Sequence, residues 1–319
     1  MKQTTLAAVG FNKYAKTTRR AVFLREMNQV VPWSRLCKLI EPHYPKVGNG
    51  RPPIGLERML RIYFLQQWFN LSDPAVEESL YESVSMREFV GIDLGLEPVP
   101  DETTVCKFRH LLERHDLGRK LFEDVGRHLQ SKGMKVSGGT IVDATIIAAP
   151  SSTKNASGER DPEMHQTRKG NQWYFGMKGH IGVDSKTKLI HSAAVTSANV
   201  HDSQPLPQLL HGAETRVWGD SAYIGQKNAM RAAAPKARDF TNRRATRSHA
   251  LTDSERLTNR RKSSVRAKVE HAFGVIKCIF GFAKVRYRGM MKNANRFFVA
   301  CALANLFMVR RDLMRIRRA

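Results

Sequence analysis

Residues 140 to 147, Thr-Ile-Val-Asp-Ala-Thr-Ile-Ile, form an apolar, β-branched run interrupted by one carboxylate, Asp143. Such a run reads as a buried strand. A buried carboxylate costs several kcal/mol unless it is paired, hydrogen-bonded or bound to a metal. On this stretch alone, an aspartate satisfied by backbone or an arginine and a functional aspartate stand about level. The rest of the chain decides between them by supplying, or failing to supply, partners for Asp143.

Two partners are expected downstream. The stretches Trp173 to Val183 and Leu189 to Thr196 read as strands, joined by a turn at Asp184-Ser-Lys-Thr-Lys188. With the first strand they make an antiparallel meander, whereas residues 150 to 171 read as polar and strand-free. Asp202 reads as the N-cap of a helix with Pro205 early in it. A helical crossover then brings Arg216-Val-Trp-Gly-Asp220 parallel to the first strand. The carboxyl ends of neighbouring parallel strands face one crevice, so Asp143 and Asp220 are expected to meet there. The third carboxylate comes from a helix expected over Ser264 to Phe280. At about 100° per residue, Arg266, Glu270 and Lys277 fall within about 40° of one another. Their stripe borders the apolar face formed by Val269, Ala272, Phe273, Ile276, Ile279 and Phe280. At that border a side chain reaches into a cleft; on the far side Arg266 and Glu270 would be only a solvated i,i+4 pair.

Ahead of the strands, residues 1 to 134 read as an all-helical region. Helices are expected over Arg19 to Asn28, Trp33 to Ile40, Leu56 to Phe69, Thr103 or Thr104 to Arg114, and Leu117 to Leu129. Gly50-Arg-Pro-Pro53 is a loop signal, Ser72 an N-cap with Pro74 in the first turn, and Ser85-Met-Arg-Glu88 a capping box. Short helices with tight connections suit a helix-turn-helix unit. In that case Lys107, Arg109 and Arg114 would face DNA, against the alternative of a plain helical array. Residues 135 to 310 form the expected catalytic domain, and 311 to 319 a basic tail.

Charge narrows the partner. Lys and Arg number 53 against 29 Asp and Glu, a net +24, which favours a polyanion such as nucleic acid. Eleven basic residues against three acids lie between Lys236 and Lys268, and eleven against one between Lys277 and Ala319. That is the composition of a nucleic-acid track. Asp143, Asp220 and Glu270 converging in such a protein suit two hard divalent cations, which promote in-line phosphoryl displacement. The four cysteines are scattered and form no Cys-x-x-Cys pair, the N-terminal apolar run is too short for a secretory signal, and no run of 18 apolar residues suggests a membrane span. A reducing cytoplasm is the expected location. No phosphate-binding Gly-rich loop or His-Glu-x-x-His spacing is present.

With these residues in view the chain resembles, over nearly its whole length, insertion-sequence DDE transposases of the IS-five group. The resemblance is carried by Gly50-Arg-Pro-Pro-Ile, Asp143-Ala-Thr-Ile-Ile, Arg160-Asp-Pro-Glu-Met, Phe175-Gly-Met-Lys-Gly-His-Ile-Gly-Val-Asp184, Thr196-Ser-Ala-Asn-Val-His-Asp202, Gly219-Asp-Ser-Ala-Tyr223 and the Arg266/Glu270/Lys277 stretch. It implies an α/β RNase H-like catalytic domain, a mixed sheet flanked by helices, with Asp143, Asp220 and Glu270 binding Mg²⁺ or Mn²⁺. Arg266 and Lys277 match basic positions of the Y-R-E-K signature of the related IS-four group and would contact double-stranded DNA, whereas Ser263 stands where that signature has Tyr. The implied reaction is nicking at the element's inverted-repeat ends and joining of the 3′-hydroxyls to target DNA, by a homo-oligomer that pairs two ends. The alternatives are an RNase H-like nuclease without strand transfer and an inactive DNA-binding derivative.

Overall fold

The computed structural model describes residues 16–48, 52–134, 136–156, 158–246 and 250–318. Among the described residues, seven α-helices precede the first strand: α1 (Arg19–Val30), α2 (Trp33–Ile40), α3 (Leu56–Phe69), α4 (Asp73–Glu82), α5 (Val84–Val90), α6 (Glu102–Arg114) and α7 (Leu117–Ser131). Their starts are chemically marked. Thr18, Ser72 and Asp101 each accept a hydrogen bond from a first-turn amide, so the expected cap at Ser72 is present. The capping box expected at Ser85 is not. Helix α5 starts two residues earlier, with Ser83 at its N-cap, and the Ser85 hydroxyl bonds that of Ser83. Gly50 and Arg51 of the expected loop lie outside the described residues; Pro52 and Pro53 are irregular.

Six strands follow in one mixed sheet: β1 (Gly139–Ala148), β2 (His165–Lys169), β3 (Gln172–Asp184), β4 (Ile190–Ser197), β5 (Arg216–Trp218) and β6 (Arg238–Asp239). β3 pairs antiparallel with β1, β2 and β4; β5 is parallel to β1, and β6 parallel to β5. The meander and the parallel return are as expected. β2 falls inside the stretch read as strand-free. It is polar and mostly exposed, so it lacks the apolar alternation that marks a strand in sequence. Asp184 is a turn residue as expected: Oδ2 accepts the amides of Lys186 and Thr187, and Oδ1 those of the Ser137 backbone and hydroxyl. Asp202 caps no α-helix. Pro205 and Pro207 each lack an N–H, and the segment manages a single 3-10 turn, Leu206–Leu209.

Four helical pieces complete the chain: α8 (Lys227–Ala233), α9 (Asp253–Arg266), α10 (Val269–Gly274) and α11 (Met290–Arg318). The single helix expected over Ser264 to Phe280 is broken. Residues 267 to 271 tighten into three-residue turns, and Val275–Ile279 widen into a π-turn closed by the Phe280 amide on the Val275 carbonyl. Beyond that bulge the register rotates, and Ile279, placed on the apolar face, is 53% exposed. Residues 311 to 318, read as a tail, continue α11, with Leu313 buried.

One face of the sheet (Ile141, Ile147, Ile181, Val183) shares a core with the N-terminal helices and α11. The other (Val142, Ala194, Val217) packs a small cluster with Leu206, Leu209, Tyr223 and Met230. Helix α11 ties the layers together. Asn295 Oδ1 accepts the Gly118 amide of α7, and Asn305 exchanges two hydrogen bonds with Ile190 of β4. Gly118 must be glycine here, since a Cβ would lie 2.5 Å from the Asn295 carbonyl oxygen.

Candidate active site

Strand register brings the first two carboxylates together. Gly139, Thr140 and Ile141 of β1 pair with Arg216, Val217 and Trp218 of β5, and two residues further on Asp143 stands level with Asp220. Because β5 stops at Trp218, the edge of β1 on that side is free of strand pairing from Asp143 to Ile147, and residues 283 to 285 cover it again at Ala148. A cavity of about 400 Å³ lies there, lined by Asp143, Asp202, Asp220, Glu270, Lys178 and Arg266 among others. The sequence-derived trio therefore shares one pocket, joined by Asp202. Asp143 is buried, Asp220 and Asp202 are half-buried, and Glu270 is exposed at the rim.

Each acid is held differently. Asp143 Oδ1 accepts its neighbour's amide, Ala144 N, at 2.8 Å, and Oδ2 takes Arg266 Nη1 at 2.8 Å. Burial pushes the Asp143 carboxyl up to about 6; Arg266 and the Ala144 amide oppose that, and Asp220 and Glu270 add to it. Asp220 Oδ1 accepts the Ala222 amide at 2.8 Å, capping a 3-10 turn, Ser221–Tyr223. Lys178 Nζ lies 2.7 Å from Asp202 Oδ1 and donates to the Val200 carbonyl.

Arg266 and Lys277 both reach β1 despite the helix break. Lys277 Nζ donates to Thr145 Oγ1 and to the Ile146 carbonyl, both at 3.1 Å. Burial lowers its affinity for a proton. Ser263 Oγ accepts Asn242 Nδ2 at 2.9 Å. Arg109, expected to face DNA, does not. It is 6% exposed, donates to Asp73 Oδ2 and Glu113 Oε1, and stacks over Tyr287. The sequence showed it basic on a helix, but its acidic partners sit on the neighbouring helix and one turn on, and only packing turns the three inward. Lys107 and Arg114 are exposed.

Sequence reading missed three members of the site. Asp202 was spent on a helix cap, and Lys178 drew no attention as one lysine in an apolar strand. Tyr223 is fully buried, and its hydroxyl has no hydrogen-bond partner among the described residues. Burial, then Asp143, Asp202 and Asp220, push its ionisation well above the ordinary range, so it is a neutral donor facing acids. The signal was present: Tyr223 follows Asp220 by one 3-10 turn, which returns its ring beneath Gly219. On the opposite strand His180 is fully buried, shares a 2.8 Å hydrogen bond with Thr196 Oγ1, and is held neutral by burial, its pKa lowered to about 4.

The donor chemistry of this pocket fits a divalent cation. Its oxygens are hard, and Asp220 and Glu270 add to the burial that pushes the Asp143 carboxyl up, an effect a bound cation would offset. Among the described residues no three His, Cys, Asp or Glu side chains are already gathered closely enough to hold an ion; Arg266 occupies the free oxygen of Asp143 instead.

A mixed sheet that presents clustered acids at the carboxyl ends of parallel strands, in a protein this basic, is the build of an enzyme acting on polyanions. Residues 135–306 match the family described as Transposase DDE domain, and residues 12–111 match Transposase domain (DUF772). The chain belongs to the DDE transposase family and is a DNA transposase. Among solved structures, one that is similar is the cryo-EM structure of the piggyBac transposase synaptic complex with hairpin DNA. It has 10% identity, covers 93% of this chain and 76% of that one, and gives a TM-score of 0.43, too distant for residue correspondence. Among the described residues no helix is long and apolar enough to cross a membrane.

Proposed function

We propose that this chain is an insertion-sequence transposase of the IS-five group. In this reading it nicks the inverted-repeat ends of its own element and joins the 3′-hydroxyls to target DNA. The supporting observation is the register that sets Asp143 level with Asp220, in a pocket that Glu270 completes from α10. The strand order supports an RNase H-like catalytic domain over residues 135 to 310: three long antiparallel strands, then two parallel ones on the far side of β1. Residues 1 to 134 then serve in binding DNA ends, with Lys107 exposed for that role.

Asp143, Asp220 and Glu270 would hold Mg²⁺ or Mn²⁺. Bound there, the ions supply charge neutralisation and activation of the attacking oxygen. The chain's own residues do the positioning. Asp143 is fixed to the backbone through Ala144, and Asp220 through Ala222, so neither swings freely. Arg266 balances Asp143, and its half-buried guanidinium lines the acid pocket. Lys277 clamps the open edge of β1. Two such sites in a paired homo-oligomer would treat the two element ends together.

Full-length protein with Asp143→Ala, Asp220→Ala or Glu270→Ala should lose metal-dependent nicking of an inverted-repeat duplex in a gel assay and retain affinity for it. Undiminished nicking in any one of the three overturns the assignment.

A further inference from the structure

A second concavity, of about 730 Å³, lies beyond the carboxyl ends of β5 and β6. It is walled by Lys227 and Arg231 of α8, Arg238 of β6, Arg243 and Arg244 of the following loop, and Lys262 of α9. The acids in it are already engaged. Asp239 accepts the Thr241 amide, and Glu255 caps α9 and pairs with Arg243. Lys262 donates to the Thr241 carbonyl at 2.8 Å. Lys227, Arg231, Arg238 and Arg244 are exposed and have no hydrogen-bond or ion-pair partner among the described residues. Four unspent cations facing one hollow repel each other and are stabilised by an anion with several charges.

The groove joins the catalytic pocket through shared elements. Lys262 and Arg266 are one turn apart on α9, the first lining the groove and the second the acid pocket. Asn242, on the groove wall, donates to Ser263 between them, and its amide bonds the Gly219 carbonyl next to Asp220. Exposed Ile224, at 45%, adds an apolar surface at the lip. A ligand that crosses the acid pocket and continues along α9 meets these four cations next.

We infer that this groove carries the phosphodiester backbone of a DNA strand that continues out of the catalytic pocket. This rests on the transposase reading. The strand can come from DNA at the element's end or from the target, and the two are separable by experiment.

The test is the full chain with Arg231→Ala, Arg238→Ala and Arg244→Ala combined, all exposed positions. Binding is followed by fluorescence anisotropy across a salt series, to a duplex taken from the DNA bordering the reading frame and to a mixed-sequence duplex. Losing three phosphate contacts lowers the slope of log affinity against log salt by about three. A drop confined to the bordering duplex identifies the element's end as the source; a drop on both identifies general target backbone. The matching Arg→Lys triple should keep most of the slope, which separates lost charge from lost structure. Unchanged slopes on both duplexes overturn the inference and leave the transposase reading standing. A loss seen only with an RNA of equal length overturns it in favour of another polyanion. If the unaltered chain binds neither duplex, both readings fail.

Discussion

Two of the places where the molecule buries charge treat it in opposite ways. Between α4 and α6, Arg109 is enclosed with Asp73 and Glu113 and lies under Tyr287, one oxygen of each acid accepting a guanidinium hydrogen bond. In the middle of β1, Asp143 has Arg266 as its ion-pair partner and three acids sharing its pocket, with a buried Tyr223 hydroxyl that has no hydrogen-bond partner among the described residues. The first cluster is balanced in the sense that each acid has a guanidinium partner, and its worth is stability. In the second, Asp220 and Glu270 have no ion-pair partner among the described residues, and they stand beside an Asp143 carboxyl that burial pushes up, the kind of perturbation that marks a site built to receive something else.

The contrast can be broken at either end. Removing charge from the crowded site with Asp143→Asn should cut nicking by about a thousandfold or more yet leave the urea midpoint unchanged or higher, since a destabilising ionisation is gone. A fall in midpoint comparable with the activity loss would make Asp143 structural. Removing the hub of the balanced site with Arg109→Ala strands two acids and should cost about 3–5 kcal/mol of unfolding free energy; a loss under 1 kcal/mol would show that the cluster is not load-sharing.

His180 sharpens the comparison through pH. Its folded pKa is lowered to about 4 from an ordinary 6.5, so between these values the unfolded chain binds more protons. Its contribution is present above pH 6.5 and is lost as pH falls toward 4, up to about 3 kcal/mol. Proton NMR titration should show the ring neutral at pH 5.5; a protonated ring there removes the effect. The smallest change is at the rim of the balanced cluster. Ser72→Ala removes the cap of α4 just before Asp73 and should cost about 1 kcal/mol in denaturant melts.

Much of the fold was legible where local chemistry and burial agree. Helix α3 was bounded correctly from its apolar spacing, Ser72 from its capping role, and Asp220 from a short strand followed by small residues. The parallel return of β5 followed from order alone. What escaped was set by partners distant in sequence or by backbone irregularity. Arg109 looks like any exposed basic helix residue until Asp73 packs against it. The tight turn at 267 to 271 and the π-turn at 275 to 279 break the single expected helix in a way no periodicity records; Arg266 and Lys277 still reach β1, while Ile279 turns outward. An aspartate ahead of Pro205 resembles a helix start, but Pro207 removes a second amide and the segment forms only a 3-10 turn, which leaves Asp202 to the pocket.

Helix α11 also governs timing. It supplies Asn295 to α7, Asn305 to β4 and Arg310 to Glu26 of α1, all made well before it. During synthesis those surfaces stay uncovered until residues 290 to 318 emerge, on the order of ten seconds after β4 at ordinary elongation rates. A nascent chain therefore carries a finished sheet and finished helices that cannot close on each other, and chaperone protection during that interval is part of what this architecture requires of its host.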